Sequence, residues 1–365
     1  MSKISIAIIT PSLGYCGAER VSSLVSVFLT DLGYDVTLFA AYPNKDFNFK
    51  GNYVYLGHSK NIFMPFFSLF SSFKMLYKSI KSRDFDFVVD FRSRRIFWIE
   101  LMFHFFIYSN VKNSILTIHL PLLNKYIPKP WFLFQRFYKR AYALVSVSDA
   151  ISAKLNKLGY ANEVVIKNAV DFEIIDIERE KPIEIDEPFV LAVGRLDDNI
   201  KRFNHVIKAY AKSKLLAEGV RLVLLGEGVI KPQLQKLSRT LNCEHMVSFL
   251  GFKQNPFNYF ANAQFFILAS EFEGFPMVLI ESLACGTPVI SYDCPTGPSE
   301  IIQHENNGLL VENGNIAALS AAISRMHTDK KLYALCMENA RKSVAHLSFE
   351  NIKDQWRQLI ESVIP

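Results

Sequence analysis

Residues 269–302, A-S-E-F-E-G-F-P-M-V-L-I-E-S-L-A-C-G-T-P-V-I-S-Y-D-C-P-T-G-P-S-E-I-I, constrain this chain more than any other stretch. Five apolar residues, 265–269, lead into it and read as a buried strand. Residues 270–276 form a polar, glycine-containing turn, 277–285 carry helical periodicity, and Gly286 supplies a left-handed stop. Strand, loop and helix in that order aim the first unpaired N–H groups of the helix past the strand end, where an anion such as a phosphate is favoured. Glu273 lies in the loop, and Glu281 lies eight positions on, about two turns along the helix. A Glu beside a first helical turn is ordinary dipole chemistry. That accounts for Glu273 but not for Glu281, which sits between Ile280 and Leu283 on an otherwise apolar helix.

The rest of the chain repeats this unit. Residues 4–10, 36–39, 54–56, 87–90, 114–119 and 144–147 are short apolar runs separated by helical stretches, the first of which, 18–32, is stopped by Gly33. Residues 189–193, then R-L-V-L-L-G-E-G and V-S-F-L-G-F-K, continue the pattern. Such alternation predicts parallel sheets with helices on both faces, and ligands gather at the carboxyl ends of their strands. Several polar groups fall at those ends. G-Y-C-G-A-E-R is a glycine loop opening a helix, D-F-R-S-R-R holds Asp90, Arg92 and Arg94, and L-T-I-H-L-P holds His119. G-R-L-D-D-N-I-K-R-F places Arg195 and Lys201 in a strand-to-helix loop before a helix from about Phe203, where a planar fork and a point charge suit a diphosphate. Each has a plainer reading: His119 as a satisfied polar residue, and the basic residues as solvated surface.

At 365 residues the chain has room for about two domains. Residues 172–188, charged and poor in strand formers, read as the linker, and Ser148 reads as a helix cap. An amphipathic helix with Ile352, Trp356, Leu359, Ile360 and Val363 on one stripe closes the chain. Five scattered cysteines without a C-x-x-C pair predict reduced thiols and no zinc cluster, as in a cytosolic protein. The apolar start, 4–9, is too short for a signal peptide.

Charge is unevenly spread. Residues 1–170 carry 21 Lys and Arg against 10 Asp and Glu, the remainder 20 against 25, and residues 60–140 alone carry 14 against 4. Aromatic residues interleave with these cations, as in K-P-W-F-L-F-Q-R-F-Y-K-R, which suits an anionic membrane surface. The same mixture suits nucleic acid, but no helix-turn-helix, zinc-finger or base-stacking signature is present, so no nucleic-acid partner is expected. A solvated basic face is the remaining alternative. The most apolar helical segment, 96–107, is too short to span a bilayer and contains Glu100 and His104.

The stretch E-G-F-P-M-V-L-I-E-S-L-A-C-G-T-P-V-I resembles the E-x7-E signature of retaining glycosyltransferases of family four, and D-C-P-T-G-P-S-E-I-I resembles a subset that builds bacterial cell-surface glycans such as lipopolysaccharide. The resemblance runs over almost the whole chain and is strongest from Val190 to Val311. It implies an α/β protein of GT-B fold, with two Rossmann-like domains whose parallel sheets face a central cleft. An acceptor-side domain would cover 1–182, a nucleotide-sugar domain 183–345, and a last helix, 346–365, would cross back to the first domain. It implies transfer of a hexose or N-acetylhexosamine from a UDP-sugar to a lipid-linked or polysaccharide acceptor, and the basic, aromatic stretch 60–140 predicts a cytoplasmic protein docked peripherally on the inner face of the plasma membrane. By the same resemblance Glu281 binds the donor ribose, while Glu273 and the backbone of Gly274, Phe275 and Pro276 hold sugar hydroxyls. Arg195 and Lys201 would meet the diphosphate, Gly251, Phe252 and Lys253 the base, Gly14 and Gly17 the diphosphate or acceptor, and His119 the region of the donor sugar. Asp90, Arg92 and Arg94 would face the acceptor. Arg202 replaces the glycine of the family's G-R-L…K-G motif, and Tyr15 and Cys16 interrupt its G-G-A-E-R. No Asp-x-Asp motif lies in a suitable loop, since the D-F-D at Asp84 and Asp86 begins a strand, so neither metal nor other cofactor is expected. Two rivals are a nucleotide-sugar epimerase of the same fold and a non-catalytic, membrane-associated assembly subunit.

Overall fold

The computed structural model describes residues 3–14, 17–57 and 65–362. Tyr15, Cys16 and Val363, singled out in the sequence, and Lys60, the first cation of the basic stretch 60–140, lie outside that range. The chain divides into two units, one running to Ala169 and resuming at Glu350, the other covering Val170–Phe349. The first segment of the first unit thus ends at Ala169, where the resemblance implies an acceptor-side domain to 182.

In the first unit, β1 (Ser5–Thr10), α1 (Gly17–Asp31), β2 (Asp35–Ala40), β3 (Asn52–Tyr55), α2 (Pro65–Arg83), β4 (Phe87–Asp90) and α3 (Phe97–Phe106) are followed by β5 (Asn113–Ile118), α4 (Trp131–Tyr138), β6 (Ala143–Ser146), α5 (Asp149–Lys157) and β7 (Glu163–Val165). The strands form a seven-stranded parallel sheet in the order β3-β2-β1-β4-β5-β6-β7. Both faces are covered, which is why β1 and β4 are almost entirely apolar. Ala7, Ile9, Phe39 and Val88 pack with Leu76 and Ile80 of α2 and Phe103 of α3.

The second unit comprises α6 (Phe172–Glu178), β8 (Phe189–Val193), α7 (Phe203–Lys212), β9 (Arg221–Leu225), α8 (Lys231–Thr240), β10 (Val247–Phe249), α9 (Phe257–Asn262), β11 (Phe266–Leu268), α10 (Met277–Ala284), β12 (Val289–Asp293), α11 (Pro298–Ile301), β13 (Gly308–Glu312), α12 (Ile316–Thr328) and α13 (Lys330–Ser343). Its six parallel strands run β10-β9-β8-β11-β12-β13. Val190, Leu222, Ile267, Ile290 and Leu309 pack against Phe203, Val206 and Ile207 of α7 and Leu319 and Ile323 of α12. The last helix, α14 (Phe349–Glu361), belongs to the first unit from Glu350 onward.

Two local expectations have visible causes. Gly33 and Gly286 end α1 and α10 at φ of +88°, a conformation a Cβ disfavours, and Ser148 Oγ caps α5 by accepting from Ile151 N at 3.4 Å. The linker differs from its reading. Its first half is α6, capped by Asp171 Oδ1 on Ile174 N at 3.1 Å and tied to α13 by an Arg341–Asp176 ion pair at 2.6 Å. The charge that reads as loop is the outer face of a short helix. β7, β12 and β13 were not singled out either, because their runs are short or follow directly on a motif.

Candidate functional site

Both strand orders reverse direction once, between β1 and β4 in the first unit and between β8 and β11 in the second. In open parallel sheets the loops leaving such a pair of strands diverge and leave a crevice at their carboxyl ends. In the second unit these loops carry Lys201, after β8, and Glu273, after β11. Lys201 Nζ donates to Glu273 Oε1 at 2.6 Å, the lysine half-buried and the carboxylate buried.

Several bonds hold the two loops. Glu271 N donates to Ile200 O at 2.8 Å, and Asp198 Oδ1 accepts from Ile200 N at 3.0 Å. Arg202 has φ +45° and ψ +44°, a left-handed conformation that a glycine adopts without a Cβ clash. Its guanidinium reaches Asn313 Oδ1 at 3.0 Å and Glu271 Oε1 at 3.5 Å, which anchors the unfavourable backbone. Thr296 Oγ1 donates to Glu273 O, so P-T-G-P braces the E-G-F-P turn. Burial, with the Glu273 charge adding to it, pushes the Cys294 thiol up to about 12, and it remains protonated. Past the turn, Pro276 precedes α10, which opens at Met277 with no side-chain cap on its first N–H groups.

The other residues expected here are placed differently. Arg195 is not drawn to Glu273: its side chain is 53% exposed and lies 3.7 Å from Asp197. Phe275 is buried. Glu281 is 2% exposed and sits one turn before Cys285, whose thiol it helps burial push up to about 12. At the end of β10, Gly251 O accepts from Gly226 N at 2.8 Å, Phe252 is exposed, and Lys253 Nζ lies 5.6 Å from the Tyr259 ring centroid.

In the first unit Gly14 packs against Asn44 and Asp46, where a Cβ would fall 2.4 Å from Asp46 Oδ2, and Gly17 opens α1. Asp90, Arg92 and Arg94 form an internal network instead of a polar surface. Arg92 grips Asp90 at 2.7 and 3.1 Å, Tyr108 donates to Asp90 Oδ2 at 2.5 Å, and Tyr138 donates to Glu100 Oε1 at 2.8 Å. The fully buried Arg94 donates to the carbonyls of Asp90, Arg92 and Thr117 at 2.9–3.3 Å. Burial alone would raise the Asp90 carboxyl, but Arg92 and Arg94 hold it below the ordinary range. At Glu100 burial wins and raises it. His119 follows β5, is buried, and stacks on Phe91 with centroids 5.4 Å apart. Burial, then the Arg94 cation, pushes its pKa down to about 3, so the imidazole is neutral.

Thr117, Thr296 and Asn313 were not singled out from sequence. Thr117 alone carried a signal, lying two positions before His119 on the same strand face. The other two meet their partners only through long-range packing.

Residues 173–343 match the family described as glycosyl transferases group 1, and residues 15–174 match glycosyltransferase family 4. Over 170 residues the chain is 42% identical to an N-acetylgalactosamine-N,N'-diacetylbacillosaminyl-diphospho-undecaprenol 4-alpha-N-acetylgalactosaminyltransferase of Campylobacter jejuni, covering 46% of this chain and 45% of that protein. The chain spans about half or less of the length of the curated relatives it matches first. Among solved structures, a sucrose-phosphate synthase of Thermosynechococcus elongatus superposes with a TM-score of 0.80 at 20% identity over 99% of both chains. The Anabaena protein HepE, in complex with UDP and glucose, gives 0.78 at 17% identity over 98% of this chain and 100% of its own. With the two family matches running together from residue 15 to residue 343 over two parallel-sheet α/β units, the chain belongs to the family-four glycosyltransferases of GT-B fold.

Proposed function

We propose that this protein is a retaining, metal-independent glycosyltransferase. It would transfer a hexose or N-acetylhexosamine from a UDP-sugar to a lipid-linked or polysaccharide acceptor in bacterial surface glycan assembly. The observation that carries this reading is the Lys201–Glu273 pair, seated where β8 and β11 diverge, with Glu273 in the loop that leads into α10. A departing nucleoside diphosphate gains negative charge as the glycosidic bond breaks. Lys201, the solvent-facing Arg195 and the first N–H groups of α10 would stabilise that charge electrostatically. Glu273 and the turn of Gly274, Phe275 and Pro276 would take sugar hydroxyls, with Glu281 at the ribose. Supporting the choice of substrates, one relative is named for a diphospho-undecaprenol acceptor and one structural neighbour holds UDP. Titration calorimetry with UDP in the presence of a chelator tests this. Binding is expected, and Lys201→Ala should weaken it about ten- to a hundredfold, the size of a charge-assisted contact. Complete dependence on magnesium would sink the metal-free reading.

The acceptor would be met at an anionic membrane, with the first unit docked from the cytoplasmic side. α3 and α4 pack together, Phe97 on Phe134 at 5.4 Å and His104 stacked on Phe137 at 3.8 Å, yet they leave Trp98 71% and Phe132 60% exposed, with Phe105, Trp131 and Leu133 also exposed. Exposed Arg95, Lys129, Arg136, Lys139 and Arg140 flank these rings, and each cation near such a surface contributes about 1 kcal/mol. Among the described residues no helix is long and apolar enough to cross a membrane. Liposome co-sedimentation over a salt series should show binding to anionic vesicles that is only partly lost at high salt. Trp98→Ala with Phe132→Ala should remove the salt-resistant fraction. Equal, negligible binding to neutral and anionic vesicles would favour a soluble acceptor.

A further inference from the structure

Glu273 Oε1 holds Lys201 Nζ at 2.6 Å, so a phosphate that uses this cation must share it with a carboxylate. The pair is braced from both loops. Glu271 N donates to Ile200 O at 2.8 Å, two residues before Glu273 and one before Lys201, and Thr296 Oγ1 donates to Glu273 O. Only 9% of the Glu273 side chain is exposed, against 25% of the lysine side chain, so the lysine is the partner a ligand can reach. An ammonium has three N–H donors, and Lys201 can keep Glu273 while taking a ligand oxygen as well. Two oxygens that each lie about 3 Å from one nitrogen are at most about 6 Å apart, close enough for like charges to repel in a half-buried crevice. The neighbouring ionisable groups leave this balance to the pair. Arg202 is turned to Asn313 and Glu271, Arg195 lies at Asp197, and the Cys294 thiol near Glu273 stays protonated.

We infer that Glu273 sets the donor apart from the product by charge, opposing the released nucleoside diphosphate more than the sugar nucleotide it came from. This rests on the reading above that the ligand is a UDP-sugar, and it gives a second task to the carboxylate that would take sugar hydroxyls. In the donor each phosphate carries one negative charge. When the bond from the anomeric carbon to the β-phosphate oxygen breaks, that oxygen keeps the electron pair. The anomeric carbon bonds to the acceptor oxygen, and the proton of the acceptor hydroxyl passes to the departing phosphate. With a second ionisation at a pKa of about 6, that phosphate loses the proton to water at pH 8. UDP then carries one more negative charge than the donor did. Lys201 attracts the added charge, Glu273 repels it, and the carboxylate receives no sugar hydroxyl in return. The same carboxylate thus favours the donor on arrival and the departure of UDP.

Titration calorimetry of the full chain at pH 8, with a chelator so that no divalent ion masks the phosphates, separates charge from sugar. The probes are UDP, the UDP β-methyl ester, which has the donor's charge and no sugar, and UDP-glucose and UDP-N-acetylgalactosamine. Wild type should bind UDP and the ester within about threefold of each other. Glu273→Gln keeps the shape of the side chain and removes its charge. It should bind UDP about tenfold more tightly than wild type does, and prefer UDP to the ester by about tenfold. A wild type that already prefers UDP to the ester by about tenfold or more overturns the inference without any variant. So does a Glu273→Gln protein with the wild-type unfolding midpoint that binds UDP no more tightly than wild type. If wild type binds UDP and neither UDP-sugar, the substrate reading fails, and the charge effect is still decided by UDP and the ester. If it binds no probe, both are overturned.

Discussion

Burial gives His119 a titration of definite sign. Its folded pKa of about 3 lies below the roughly 6.5 of an unfolded histidine. Between those values the unfolded chain binds a proton that the folded one does not. Stability is therefore full above about 6.5 and falls at about 1.4 kcal/mol per pH unit as pH drops through that window. Chemical denaturation of the first unit should show the wild type losing about 2 kcal/mol more than His119→Gln between pH 7 and 5. Equal losses would put the acid sensitivity elsewhere, for instance at His104, which burial also lowers. Glu281→Ala should weaken UDP binding about ten- to a hundredfold, as expected for a lost charged contact, while thermal unfolding stays close to wild type. Wild-type affinity for UDP would make this buried carboxylate structural. Glu273 and Glu281 were legible because they break an apolar pattern at a set spacing. The fate of Arg94 was not legible: a basic residue in a strand-end loop looks the same in sequence whether it faces solvent or three backbone carbonyls.

Among elements, the loops after β8 and β9 approach so closely that one position tolerates no side chain. A Cβ on Gly226 would lie 1.9 Å from Gly194 O, backbone against backbone, at a φ of +144°. Gly226→Ala should therefore cost at least about 2 kcal/mol, combining strain and overpacking, and loosen the Lys201 loop. Urea unfolding followed in the second unit checks it, and an unchanged midpoint would mean the loops part easily. The strands that were singled out were legible to within a residue or two because most of them are apolar runs in sheets buried on two faces, whereas the short, half-exposed β7 was not. α6 was not, because only one of its residues, Ile175, is buried, and no amphipathic period stands out in a helix so short.

At the scale of the molecule, the chain's last helix contributes to the first unit's core. Trp356, Ile352 and Ile360 of α14 are buried, and Trp356 and Ile352 line a small cavity with Val21, Val25 and Phe28 of α1. Trp356→Ala should cost about 3–5 kcal/mol, the range for removing a large core side chain. Hydrogen exchange should show protection lost in α1 and β1 and kept in β8 and β11. Loss spread evenly over both units would contradict this assignment of α14. The sequence by itself determined the alternation of strands and helices, the parallel sheets, and the two-carboxylate motif with its glycines. All of these rest on local periodicity and spacing, which a linear chain displays. The tertiary structure alone decided that Lys201 reaches Glu273 and Arg195 does not. It likewise decided that Arg94 is internal, that Thr117 holds His119, and that α14 leaves its sequence neighbours for the first unit. Those outcomes depend on which loops converge at a strand end and on how much water each side chain loses there, and neither is written in local sequence.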